Sequence, residues 1–177
     1  MSCFDIAIQT VLKEEGGFVN DPQDSGGATK YGISLKWLSS LTLEPDIAHL
    51  DQNNNGVMDR DDIAALTREQ AIFLYHRYFW EPHRYERIAV QMIANKVFDF
   101  TVNAGSYASH TALQWALRAT GNQDVVMDGV LGDLTIKAVN AVDFRVLLAA
   151  LRSEIAGHYR LLKKPHFETG WLNRAYA

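Results

Sequence analysis

Residues 15–34 read Glu15-Gly16-Gly17-Phe18-Val19-Asn20-Asp21-Pro22-Gln23-Asp24-Ser25-Gly26-Gly27-Ala28-Thr29-Lys30-Tyr31-Gly32-Ile33-Ser34. This stretch decides how the chain is built. Before it, Phe4, Ile8, Val11 and Leu12 recur at helical spacing, and Ser2 with Asp5 has the spacing of a capping box. Gly16-Gly17 then stops the helix, since glycine takes a left-handed conformation without steric cost. Within the stretch, turn formers crowd together, so a short irregular β-hairpin region is expected over 16–34. It is the one plausible sheet in the chain. Glu14 and Glu15 close the first helix, where the helix dipole disfavours a carboxylate and raises its pKa. A locally costly placement of this kind points to function.

Outward from the hairpin the pattern is helical. Ser34 is placed to cap a short helix over about 35–41, with Leu35, Trp37, Leu38 and Leu41. Thr67-Arg68-Glu69-Gln70 is a capping box that opens a helix to about Phe79, ended by Pro82. Ile88 to about Asn103 carries Ile88, Met92, Ile93, Val97, Phe98 and Phe100 with few charges, which predicts a buried central helix. Helices follow near 107–120, 132–141 and 144–164, and a short one after Thr169. The expected class is mainly α, an α+β chain with a small β element.

The 177 residues suit one domain, and 47% hydrophobic with 21% charged residues is the composition of a folded globular protein. The one cysteine, Cys3, has no internal partner and reads as a small buried residue. A net charge of −4 argues against a nucleic-acid binder that works by bulk charge. The charge is uneven. Residues 1–66 hold 4 Lys/Arg against 11 Asp/Glu, whereas residues 144–177 hold 6 against 2. The basic C-terminal region offers a possible contact with anionic envelopes. No run approaches the length of a membrane-spanning helix. The start lacks a basic leader and Asp5 interrupts its apolar stretch, so no signal peptide is expected.

A glutamate closing a helix, followed by a hairpin that returns Asp24 and Thr29, sets two carboxyls and a hydroxyl around one cleft. Glycoside hydrolysis needs such a set. A protonated acid donates to the leaving oxygen, and a second group orients water or stabilises the oxocarbenium-like transition state. Glu15 is the candidate acid. Asp24 either takes part directly or holds the hairpin, and Thr29 completes the set.

The string resembles the signature of the phage-type N-acetylmuramidases of glycoside hydrolase family 108: Glu-Gly-Gly-aromatic, Asn-Asp-Pro, Asp-x-Gly-Gly-x-Thr, Gly-Ile-Thr. Further segments resemble the same family: Thr67 to Trp80, Val97-Phe98-Asp99 with Val102-Asn103-Ala104-Gly105, Asp128-Gly129 with Gly132 and Thr135, and Phe167 with Gly170-Trp171 and Asn173-Arg174. Phe18 departs from the usual Tyr and Ser34 from Thr. The resemblance implies a lysozyme-like fold and cleavage of the β-1,4 bond between N-acetylmuramic acid and N-acetylglucosamine in peptidoglycan. It also implies that the catalytic Glu is Glu15, and that the half after about residue 90 corresponds to a peptidoglycan-binding region. The expected organisation is a catalytic region over 1–90 and a helical peptidoglycan-binding region over 91–177, packed as one unit. Tyr31, Asn103 and Gly105 are candidate substrate contacts. The implied setting is a phage or prophage endolysin, monomeric, held in the host cytoplasm until it reaches the cell wall.

Resemblance lapses over about 42–62, and a different pattern appears there. Residues 51–62 read Asp-Gln-Asn-Asn-Asn-Gly-Val-Met-Asp-Arg-Asp-Asp. They match the twelve-residue EF-hand loop position by position: Asp51, Asn53 and Asn55 at 1, 3 and 5, and Gly56 at the sharp turn. Val57 offers its carbonyl, and Asp59 and Asp62 stand at 9 and 12. Alternating oxygens suit a calcium ion. Asp62 in place of Glu, with Asn at 3 and 5, predicts weak, structural binding, on the order of 10⁻⁴ M. The expected unit is an EF-hand-like insertion at about 42–66. Two other readings compete with the muramidase. One is a non-catalytic, calcium-dependent cell-wall-binding module, and the other is a glycosidase acting on chitin.

Overall fold

The computed structural model describes residues 1–14, 17–18, 27–41 and 45–177, with the backbone alone for Lys13 and Glu14. Among these residues the chain is mainly helical with one small antiparallel sheet, as expected for a lysozyme-like α+β fold. Helix α1 spans Phe4–Glu14. The strands β1 (Thr29–Lys30) and β2 (Ile33–Ser34) pair antiparallel, Thr29 opposite Ser34 and Lys30 opposite Ile33. Tyr31 and Gly32, at φ 50° and 76°, form the two-residue turn whose twist matches a hairpin. Ser34 then caps α2 (Leu35–Ser40) by accepting from the Trp37 N–H.

The chain divides into two compact units: Ile8–Tyr78, and Met1–Ala7 with Phe79–Ala177. In the first, a 3₁₀ turn Pro45–Leu50 leads through the 51–59 loop into α3 (Arg60–Ala65) and α4 (Arg68–Tyr75). Its core is Ile8, Val11, Ile33, Leu38, Ile47, Leu50, Ile63, Leu66, Leu74 and Tyr75, all 2% exposed or less. The Thr67–Gln70 capping box forms as its sequence predicts, with each side chain bonded to the other's backbone N–H. The helix expected to run to Phe79 instead stops at Tyr75. One π turn, His76–Trp80, and two 3₁₀ turns, Glu81–His83 and Tyr85–Arg87, follow it.

The second unit is built on α5 (Gln91–Ala104), whose Ile93, Ala94, Val97, Phe98 and Phe100 are buried, as its low charge predicts. It begins later than expected because Ile88 N–H closes the preceding 3₁₀ turn on Tyr85 O at 3.0 Å. Helix α6 (Ser106–Ala119) packs along α5 and α8 (Phe144–Leu161), with α7 (Asp133–Ala141) beside them. Helix α9 (Pro165–Tyr176) lies along α8. It starts four residues before Thr169, because Pro165 is pre-set for a first helical turn.

The N-terminus belongs to this second unit. Ser2 does not cap α1. Its N–H donates to Ile88 O at 3.0 Å and its hydroxyl to Tyr85 O at 2.6 Å. Cys3 N–H donates to Gln91 Oε1, and Cys3 is exposed rather than buried, since Ser2 takes the interior place. Phe4 packs edge-to-face on Trp80 and Phe98 at 5.6 and 5.9 Å, joining an aromatic cluster with Tyr85.

Candidate active site and the 51–62 loop

Glu14 is the last residue of α1, so Glu15 follows the helix end directly. Glu15 and Asp24 lie outside the described residues. Thr29 opens β1, and its hydroxyl donates to Gly27 O at 3.3 Å. Leu35 N–H donates to Ala28 O at 2.8 Å and closes the hairpin stem. Tyr31 sits at the turn with positive φ, a conformation uncommon for a bulky residue. Two contacts hold it there. The fully buried Tyr75 of α4 donates its hydroxyl to Tyr31 O at 2.9 Å, and Lys30 Nζ lies 5.6 Å from the Tyr31 ring centroid. Lys30 Nζ also donates to Ala64 O at 2.6 Å, which ties the hairpin to α3. The role of Tyr75 as the prop beneath the turn is not legible in the sequence, because the two residues are 44 apart in the chain.

The 51–62 loop is drawn together by its own side chains. Asp51 accepts from the N–H groups of Asn55 (Oδ1, 3.1 Å) and Gly56 (Oδ2, 2.7 Å). Asn55 Oδ1 accepts from Val57 N–H at 2.8 Å. Asn53 and Asn55 both donate their amides to Asp59 Oδ2, at 3.0 and 2.9 Å. Asp59 Oδ1 caps α3, and Asp62 accepts Gln52 N–H on one oxygen and Asp59 N–H on the other, both at 2.8 Å. Asp62 is 1% exposed, so its shorter arm pins both ends of the loop. Asn54 (φ 54°) and Gly56 (φ 81°) make the turn, and Met58 is buried at the eighth position. The Asn53 amide, followed by the α3 N–H of Asp61, holds the exposed Asp59 carboxyl below the usual carboxylate range. Among the described residues no three His, Cys, Asp or Glu side chains are gathered as a metal cage. The loop's oxygen donors instead accept hydrogen bonds from within it.

The other expected contacts belong to the second unit. Asn103, exposed near the end of α5, accepts the Tyr159 hydroxyl at 2.8 Å. Gly105 (φ 85°) makes the junction between α5 and α6. Asp99, a carboxylate flanked in the sequence by Phe98 and Phe100, receives Arg174 in bidentate fashion, the shortest bond 2.8 Å. Beside them a polar chain runs through the interior. His110 Nδ1 lies 2.8 Å from Gly129 O, His110 Nε2 2.8 Å from the Tyr85 hydroxyl, and that hydroxyl 2.6 Å from Thr101 Oγ1. A neutral imidazole fits when Nδ1–H donates to Gly129 O and Tyr85 O–H to Nε2, while the one Thr101 hydroxyl proton is shared between the Tyr85 oxygen and Val97 O, 2.9 Å away. Burial pushes the His110 pKa down to about 4 and the Tyr85 phenol well up.

The model of the family described as glycosyl hydrolase 108 matches residues 8–105, which include the hairpin, the loop and the end of α5. The chain therefore belongs to glycosyl hydrolase family 108, and it is a glycoside hydrolase. The family indicates hydrolysis of peptidoglycan of the N-acetylmuramidase type. A solved structure of Brucella abortus SagA is similar at 25% identity with a TM-score of 0.75, over 98% of this chain and 89% of that one. No curated protein matches.

Proposed function

We propose that the protein is a lysozyme that cleaves the β-1,4 bond between N-acetylmuramic acid and N-acetylglucosamine, and that it serves as a phage or prophage endolysin. The observation that carries the reading is the family match over 8–105, which takes in the Glu15–Ser34 string at the end of α1. Glu15 is the general acid. Next to a helix C-terminus its proton is retained toward neutral pH and passes to the glycosidic oxygen as the bond breaks. Asp24 and Thr29 orient the attacking water or stabilise the sugar cation. Tyr31, Asn103 and Gly105 are, each in its own unit, the candidate glycan contacts. The 51–62 loop binds one calcium ion as a structural clip through Asp51, Asn53, Asn55, Val57, Asp59 and Asp62. The inward network around Asp59 and the two left-handed residues at Asn54 and Gly56 support that reading.

The test is digestion of purified peptidoglycan by wild type and Glu15→Gln, with mass spectrometry of the products. Wild type is expected to release fragments with muramic acid at the reducing end, and Glu15→Gln none, at unchanged circular dichroism. A fully active Glu15→Gln overturns the acid assignment. Fragments ending in N-acetylglucosamine overturn the bond. Wall binding without hydrolysis by the wild type supports the rival reading of a calcium-dependent binding module.

A further inference from the structure

Helices α8 and α9 are joined by a very short turn: α8 closes at Leu161, Leu162 caps it, and α9 starts at Pro165. The turn presents large apolar side chains to solvent. Leu161 is 79% exposed, Leu162 43% and Phe167 53%. Arg160, Lys163 and Lys164 are exposed among them, and no acidic residue occurs from Ile155 to Phe167. The tip is held stiffly from behind. Tyr159, Trp171 and Phe167 stack in a column, centroids 5.3 and 5.5 Å apart and ring planes within 26°. Arg174 on Asp99 and Arg152 on Ala177 O fasten the far end of α9.

Single exposed apolar residues need no explanation, whereas three on one rigid tip, ringed by three cations, do. A glycan would need neutral hydrogen-bonding side chains beside a stacking ring. From Arg160 to Phe167 only His166 offers one. Hydrocarbon with lysine and arginine at its margin matches the boundary of an anionic bilayer. There, apolar side chains enter the headgroup layer while basic ones reach out to phosphate. Lys163 holds a left-handed backbone (φ 51°) at a helix end where glycine is usual, so the position carries a charge at a conformational cost.

We propose that the α8–α9 tip is a docking surface for anionic lipid bilayers, with Leu161, Leu162 and Phe167 in the headgroup layer and Arg160, Lys163 and Lys164 on lipid phosphates. The surface works without crossing the bilayer, since no described helix is long and apolar enough to do so. It is independent of the hydrolase reading, because a chain inactive on peptidoglycan would still dock.

The test is co-sedimentation of the full chain with phosphatidylcholine vesicles, with and without about one-third phosphatidylglycerol, at low and high salt. Wild type is expected on the anionic vesicles, weakened by salt, and not on the neutral ones. Leu161→Asp and the double variant Lys163→Glu/Lys164→Glu are each expected to bind at least tenfold more weakly. Both should keep wild-type circular dichroism and wild-type digestion of isolated peptidoglycan. Three outcomes overturn the proposal. They are no binding to anionic vesicles, equal binding to neutral ones, or both variants binding like wild type. Loss of binding to isolated cell wall with vesicle binding intact also overturns it, since the tip would then contact the wall.

Discussion

Asp99 and Arg174 are 5% and 15% exposed at the side chain and bonded through both carboxylate oxygens. Removing one partner leaves a buried charge uncompensated, so Asp99→Ala is expected to cost about 3 kcal/mol, read by urea denaturation. The need for a partner was legible from a carboxylate flanked by Phe98 and Phe100. The partner's identity was not, since it stands 75 residues away. His110 makes a pH prediction. Its folded pKa is about 4 against an ordinary 6.5, so between these values the unfolded chain binds more protons. Stability is therefore full above about pH 6.5, falls as pH drops toward 4, and loses up to roughly 3 kcal/mol by then. Melting curves of wild type and His110→Gln over that range check this, and the variant should show the shallower slope.

At the level of elements, local chemistry was readable wherever the cap or turn lies within a few residues. The Thr67 box and the Ser34 cap formed as read, and Thr67→Ala is expected to cost about 1 kcal/mol in thermal unfolding. Element ends set by distant packing were not readable. Ile88 and Trp80 are claimed by tertiary contacts before helix periodicity can extend to them. Gly129 shows the same limit. At φ 75° it lies against Tyr107, whose ring carbon would stand 2.5 Å from an added Cβ. Gly129→Ala should therefore displace Tyr107, disturb the Gly129–His110 bond and lower the melting temperature. For the 51–62 loop, a calcium concentration 100-fold above the dissociation constant stabilises by about 2.7 kcal/mol. About 10 mM calcium should raise the melting temperature by several degrees and chelation reverse it. Asp51→Ala should abolish the shift. An unchanged melting curve in wild type would remove calcium from the account. Of the expected catalytic set, Thr29 is placed on the hairpin, whereas Glu15 and Asp24 lie outside the described residues and their proposed roles rest on the sequence motif.

For the whole molecule, the notable fact is where the first seven residues belong. Ser2, Cys3 and Phe4 are fastened to Tyr85, Ile88, Gln91, Trp80 and Phe98, and they form one unit with residues 79–177. No periodicity argument reveals such a closure, because it joins residues some 76 to 94 positions apart in the chain. Deleting residues 1–4 removes two aromatic contacts and several hydrogen bonds at once. It should lower stability by roughly 3 kcal/mol, seen as a lower melting temperature and a lower yield of folded protein.

That closure also sets an order in time. Residues 2–4 are made before residues 80–98, and at about 5–20 residues per second the interval between them is on the order of several seconds. Through that interval the start of α1 lacks the surface on which it finally rests, while the glutamate at its other end has already been made. A first helix whose start settles only once residues 80–98 have emerged stays incomplete through the first half of synthesis, and a chain cut short of them would carry the motif without that support.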